Sequence, residues 1–273
     1  MEGYREELWG KEKIIERREN LYGKFKNFFV LDIETVPDSS MINSISDPKL
    51  LKKIEEEGDD YFLPHPYHKI VAVSILSIKN AKKINFKTFA SQDEFGLLNQ
   101  FWKEFKKAHS FVKIENSKKA VSVFPVLITI NGKDFDMPVI KLRSLKYAQK
   151  LEEKFFISIY LDKFDKWENS YPRYTFFHTQ YHIDIPVDIF GKKISLKNLC
   201  YLCDIPVKTE GEGNQVKEFF LNGDLEKIGN YCSEDVKATA MLFSYINTHF
   251  LQNSYPFPPL DLLSNLKPEV KVL

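Results

Sequence analysis

Residues 28–34 read Phe28-Phe29-Val30-Leu31-Asp32-Ile33-Glu34. The almost unbroken apolar run is that of a central strand covered on both faces. Pro37 and Asp38 end it. Asp32 and Glu34 are two apart, so their side chains leave the same face of the strand. Two carboxylates on one face of an apolar strand repel each other and lose hydration. A cation between them reverses that balance. Taken alone, the pair could equally stand in solvent at the strand end, beside the turn at Pro37.

Working outward, Ile70 to Ile78 reads as a second strand and Ile84 to Phe89 as a third, with Lys79 to Lys83 as a hairpin connection. Ser91 opens a helix, with Glu94 three residues on as in a capping box. Phe95, Leu98, Phe101, Trp102 and Phe105 follow at helical spacing. Phe124 to Ile130 is a fourth strand, and 137–149 a helix with Pro138 in its first turn. Residues 155–194 are aromatic-rich and poorly periodic. Ser195 starts another helix, and 209–214 (TEGEGN) form a loop. A short helix runs to about Leu221, and Asp224 caps a long final helix reaching about Phe250. Three consecutive strands suggest an antiparallel meander, and a strand returning after a helix suggests a parallel crossover. The expected fold class is α/β, a mixed sheet flanked by helices. Residues 5–22 read as an amphipathic helix that packs on the main body or on a partner. The proline-punctuated tail reads as irregular.

Composition narrows the classes. Of 273 residues, 43% are hydrophobic and 28% charged, which is ordinary globular composition and argues against disorder. No apolar run reaches the length of a membrane span. The N-terminus lacks the apolar core of a secretory signal, and three cysteines make no disulfide framework. A cytoplasmic protein is expected. The net charge of +1 argues against a chain basic all over. It hides an asymmetry, because residues 101–154 carry twelve Lys/Arg against six Asp/Glu. That segment is either a polyanion contact or a solvated lysine-rich surface.

Two further acidic elements matter. Asn131-Gly132-Lys133-Asp134-Phe135-Asp136 begins where the fourth strand ends, the place α/β sheets favour for active-site groups. Asp136 could also be the cap of the next helix. Tyr231 and Asp235 are four apart on the final helix and share a face. Cys200-x-x-Cys203 reads as two small core residues. Cys232 is unremarkable, and Asp188 reads as a cap.

Together the three acidic elements resemble the DEDD superfamily of 3′–5′ exonucleases, which has a ribonuclease H-like fold. Asp32 and Glu34 in LDIET match its first motif, and Asp136 in NGKDFDMP the second, with Asn131 and Phe135. Asp235 in YCSEDVKAT matches the third. Tyr231 in place of histidine puts the chain in the tyrosine branch. HKIVAVSI, KWENSYPRY, HIDI and SLKNLCYLCDIP extend the likeness to predicted stand-alone 3′–5′ exonucleases related to the exonuclease domain of family B DNA polymerases. The likeness covers roughly residues 28–250. It leaves 1–27 as a helical extension and 251–273 as a tail. Asp134, two before Asp136, departs from the pattern as an extra acid.

The resemblance implies a metal-dependent nuclease that releases nucleoside 5′-monophosphates from the 3′ end of DNA. Asp32, Glu34, Asp136 and Asp235 would hold two divalent cations, Mg²⁺ or Mn²⁺, which clamp the attacking and leaving oxygens. Tyr231 would orient the attacking water, since a phenol of pKa about 10 is a poor base at neutral pH. Asp184, in the HIDI segment, would support the site from behind. Asn131, Phe135, Lys133, Lys141 and Arg143 are the candidate substrate contacts, the cations through backbone phosphates. Trp167, Tyr171 and Tyr174 either stack on bases or pack in the core. Single-stranded DNA is the expected partner. RNA, or a catalytically silent binding role, is the alternative. Residues 1–27 are a candidate surface for a protein partner.

Overall fold

The computed structural model describes residues 25–58, 61–113, 120–161, 173–176, 178–207 and 213–273. The expected helix over 5–22, most of the 209–214 loop, Trp167 and Tyr171 lie outside them.

In chain order the elements are β1 (Phe28–Pro37), α1 (Ser39–Ile42), α2 (Pro48–Glu57), β2 (His68–Lys79), β3 (Lys83–Ala90), α3 (Glu94–Ala108), β4 (Ser110–Lys113) and β5 (Ala120–Val123). There follow β6 (Val126–Thr129), α4 (Asp136–Lys146), α5 (Lys154–Leu161), β7 (His182–Asp184), α6 (Leu196–Leu202), α7 (Gly213–Asn222), α8 (Leu225–His249), α9 (Leu260–Ser264) and β8 (Glu269–Val272). The main sheet has the strand order β7-β6-β1-β2-β3-β8. β1, β2 and β3 form the antiparallel meander, and β6 returns parallel to β1. The expected mixed α/β sheet flanked by helices is therefore present.

Alternation along β1 sorts its side chains to two cores. Phe28 and Val30 face a cluster with Phe243 and Ile246 of α8. Phe29, Leu31 and Ile33 face Leu97, Phe101 and Phe105 of α3. Phe29, Phe101 and Phe105 are fully buried, and truncating a side chain of this size to Ala typically costs about 3–5 kcal/mol. Asp32 and Glu34 keep the even phase, so they point toward the α8 side.

Three sequence expectations change. Glu94 does not close a capping box: Asp93 caps α3 through the amide of Phe95, and Glu94 is buried against Arg143. The poorly periodic stretch 155–194 nevertheless holds regular elements, most of α5 and the short strand β7 beside β6. The tail is not irregular. It forms α9 and then β8, which lies parallel to β3 from Lys87↔Glu269 to Ala90↔Val272. Gly229 lets α8 press on that added edge, since a Cβ there would sit 2.9 Å from Val270 Cγ1.

Candidate active site

The site forms where β1 outruns its parallel neighbour. β6 accompanies β1 only from Phe28↔Val126 to Val30↔Ile128. Beyond that, the Ile33 amide donates to Asp136 Oδ1 at 3.2 Å. A carboxylate from the first residue of α4 thus takes a ladder position that β6 leaves open. On the other edge, the register with β2 shifts between Glu34 and Thr35. Irregularities of this kind re-aim side chains and are common next to active sites.

α8 closes the site from the opposite side with Tyr231, Cys232 and Asp235. Cys232 is fully buried, and its Sγ donates to the Asp32 carbonyl at 3.5 Å and to Asp32 Oδ2 at 3.7 Å. Ligand atoms of Asp32, Glu34 and Cys232 lie within 4.8 Å of one another.

The electrostatics are those of crowded acids. Burial, then the charges of Asp136, Glu34 and Asp235, raises the Asp32 carboxyl well above its ordinary range. Burial, then Asp235 and Asp136, does the same for Glu34. Asp136 is pushed up to about 7, chiefly by burial, although its bond from Ile33 opposes the shift. Tyr231 is raised by burial and by the charges of Asp235, Glu34 and Asp32, which keeps its phenol neutral. Burial and the same acids keep the Cys232 thiol protonated. Asp32 and Glu34 are only half-buried by surface area, so a cation can reach them. Hard carboxylate oxygens that repel one another in a half-closed site fit Mg²⁺ or Mn²⁺. The protonated thiol is a hydrogen-bond donor rather than a ligand for such ions.

The loop before Asp136 is held from behind by Asp184, which is fully buried. Its oxygens accept from the amide of Asn131 at 3.0 Å, the amide of Lys133 at 2.9 Å and the hydroxyl of Thr129 at 3.4 Å. Asn131 is left-handed, with φ of 56°. Gly132 is required by close approach, because a Cβ there would lie 2.6 Å from Thr129 Cβ. Asp188 is not a simple cap. It accepts from the Asp184 amide and pairs with Lys133 Nζ, each at 2.7 Å.

The remaining expected residues divide. Asn131 donates through Nδ2 to the Ile194 carbonyl, while its buried Oδ1 has no partner among the described residues. Phe135 is half-buried and packs on Phe62, His65 and His68, with ring centroids 5.0–5.8 Å apart. Lys141 is partly buried on α4. Tyr174 is buried and stacked on Tyr160, which favours core packing. Arg143 is a correction. At 1% exposure it is enclosed, with Nη2 at 2.6 Å from Glu94 and 2.5 Å from Asp38. Its charge is spent on two buried carboxylates and is closed to a nucleic-acid phosphate. Cys232 is the residue that sequence reasoning passed over. Its place beside Tyr231 was the only signal, and nothing local says that it faces Asp32.

A mixed α/β sheet with an acidic cluster at the end of its central strand is the frame of a 3′–5′ exonuclease-like domain. The chain belongs to the family of predicted 3′–5′ exonucleases related to the exonuclease domain of PolB, whose family model matches residues 60–255. The match includes Asp136, Tyr231 and Asp235, while Asp32 and Glu34 lie ahead of it. No curated protein matches the chain. Among solved structures, the family B DNA polymerase of the hyperthermophilic archaeon Pyrobaculum calidifontis is similar at 15% identity, with a TM-score of 0.47 over 88% of this chain and 27% of that one. Exonuclease I in complex with SSB-Ct is similar at 10% identity, with a TM-score of 0.38 over 84% of this chain and 43% of that one. Product-bound exonuclease I is similar at 10% identity, with a TM-score of 0.37, again over 84% of this chain and over 45% of that one. The chain therefore spans less than half of each. Among the described residues no helix is long and apolar enough to cross a membrane.

Proposed function

We propose that the chain is a divalent-cation-dependent 3′–5′ exonuclease acting on DNA, preferentially single-stranded, and releasing nucleoside 5′-monophosphates. The observation that carries this reading is the crowding of Asp32, Glu34 and Asp136 at one strand end, where burial raises all three carboxyls and the charges of Asp136 and Asp235 raise Asp32 and Glu34 further. Such a cluster is costly unless positive charge joins it. When bound there, divalent cations supply that charge, make water more acidic and stabilise the leaving oxygen.

The chain's own residues do the rest. Asp32, Glu34, Asp136 and Asp235 hold the cations. Tyr231, kept neutral, orients the attacking water by hydrogen bonding. Asp184 fixes the 131–135 loop, so that Asp136 meets β1 at a set depth. Asn131, Phe135 and Lys133, on that loop, are the proposed substrate contacts; of residues 1–27, Phe25 and Asn27 are buried in the domain itself, which leaves the chain ahead of them for a protein partner.

The test is digestion of end-labelled DNA and RNA oligonucleotides with Mg²⁺, Mn²⁺ or chelator. Metal-dependent shortening of single-stranded DNA from its 3′ end, absent in Asp32→Asn, is expected. Digestion that persists in chelator, or in pure Asp32→Asn, overturns the mechanism. Faster digestion of RNA overturns the substrate.

A further inference from the structure

We propose that the cavity between α4, α5 and residues 174–176 is a phosphate-binding subsite, in which the Lys141 ammonium and the Tyr160 hydroxyl are the anion's donors. This deepens the nuclease reading, on which the source of the phosphate rests, and adds a site separate from the acidic cluster.

The cavity holds about 150 Å³ and is lined by Lys133, Met137, Lys141, Tyr160, Thr175 and His182, among others. At roughly 30 Å³ per water that is room for about five waters, enough for a phosphoryl group. Lys141 makes no ion pair or hydrogen bond among the described residues, although burial strips part of its hydration and lowers its pKa. Tyr160 is 2% exposed, and its hydroxyl makes no hydrogen bond among the described residues, although it is not fully closed to water. Its ring stacks on Tyr174 with centroids 5.2 Å apart and lies edge-on to Trp102 and Phe105, so the hydroxyl cannot swing away to find one. The hydroxyl and the half-buried ammonium keep donor capacity that the described residues do not use, and one anion accepts from both.

Polar groups of the cavity wall are already engaged. The Asp134 carboxylate is held by Lys193 at 2.6 Å, and its carbonyl by His65 at 2.6 Å. His182 Nε2 is paired with the Thr129 hydroxyl at 2.9 Å. Burial and the charges of Lys133 and Lys141 keep that imidazole neutral, with a pKa of about 3. The donors left over, the Lys141 ammonium and the Tyr160 hydroxyl, suit an oxyanion. Lys141 stands five residues along α4 from Asp136, about 7.5 Å of axial rise. It also leaves the helix about 140° round from Asp136, so it does not join the acids.

Two sources share this chemistry, a backbone phosphate of the bound strand and the phosphate of a released nucleoside monophosphate. The test uses the full chain and the variants Lys141→Gln and Tyr160→Phe; the latter removes one hydroxyl and keeps the ring stack. Binding of inorganic phosphate, followed calorimetrically without divalent cations, needs no nuclease activity. It should weaken about tenfold in Lys141→Gln and several-fold in Tyr160→Phe. With activity present, KM is compared between an oligonucleotide and a chromogenic nitrophenyl ester of a nucleoside 5′-monophosphate. A rise in Lys141→Gln that is much larger for the oligonucleotide assigns the strand phosphate. A matching rise in the inhibition constant of the free monophosphate assigns the product. Phosphate affinity within twofold of the parent in both folded variants overturns the subsite, whether or not the nuclease reading stands.

Discussion

The amide of Ile33 donates to Asp136 Oδ1 at 3.2 Å, across 103 residues of sequence. One carboxylate therefore both completes the β1 ladder and charges the site. Asn at 136 keeps the acceptor and removes the charge, whereas Ala leaves a buried amide unpaired, at about 1–3 kcal/mol. Asp136→Asn is expected to be inactive yet, in chelator, at least as stable as the parent, since like charges are relieved. Asp136→Ala should be inactive and less stable. Mn²⁺ should raise the Tm of the parent and of neither variant. Thermal denaturation with and without Mn²⁺ checks all of this, and an Asn variant less stable than the Ala variant would refute the dual role.

Arg143 gives the second expectation. Its guanidinium holds Glu94 and Asp38, while Lys146 and the Tyr147 hydroxyl complete the network at 3.0 Å each. Removing one partner from a buried network strands the others, at about 3–5 kcal/mol. Arg143→Met should lose stability on that scale in chemical denaturation. It should leave the salt slope of oligonucleotide binding unchanged, because Arg143 meets no phosphate. A reduced slope in a folded variant would return Arg143 to the substrate surface.

The same residue shows where sequence reading stops. The LDIE strand and the meander were legible because they rest on local apolar runs, and the order of the acids because it follows the motifs of the family that the chain resembles. Arg143 sat among lysines in a basic segment, and nothing local distinguishes a cation aimed at phosphate from one locked to Glu94, 49 residues earlier. Glu94 itself matched a capping box, but a buried ion pair claimed it. β7 and β8, of three and four residues, are too short for their own periodicity, and β8 is defined by pairing with β3. Cys232 is the site's counterpart: its role depends on a face of α8 that only tertiary packing reveals.

The third expectation concerns acid. His109 is buried, and burial lowers its pKa to about 4, aided by the charges of Arg173 and Lys79. The unfolded chain takes its proton near pH 6.5. The neutral imidazole's contribution is thus complete above 6.5 and is lost as pH falls toward 4. Phe in place of His109 suits the surrounding Phe105, Phe124 and Phe156 and cannot take a proton. It sacrifices the Nδ1 bond to the Phe105 carbonyl but also removes the buried Nε2, which has no partner among the described residues. Relative to the parent, His109→Phe should gain about 3 kcal/mol between pH 7 and 4, from about 1.4 kcal/mol per pH unit. The difference between the two proteins is the quantity to measure. The raised carboxylates slope the parent's own profile the other way, since their stabilisation is full below their ordinary pKa and lost as pH rises. A pH-independent difference would place the His109 charge in the folded state.

Cys232 carries the last expectation. Its thiol is protonated amid four acids, so it donates to Asp32 rather than binding metal. An S–H is a weak donor, yet a carboxylate that must meet a cation in one rotamer gains from any fixed neighbour. Cys232→Ala should weaken Mn²⁺ binding and lower kcat/KM by about tenfold, close to 1.4 kcal/mol. Cys232→Ser, which keeps a donor at nearly the same place, should recover most of that. Reading Mn²⁺ affinity from the Tm shift, apart from turnover, separates orientation of Asp32 from packing of α8. If the loss came from packing, both variants would lose intrinsic stability and Ser, the more polar, would fare worse than Ala. If it came from orientation, Ser would bind Mn²⁺ more tightly than Ala even where its own Tm is lower.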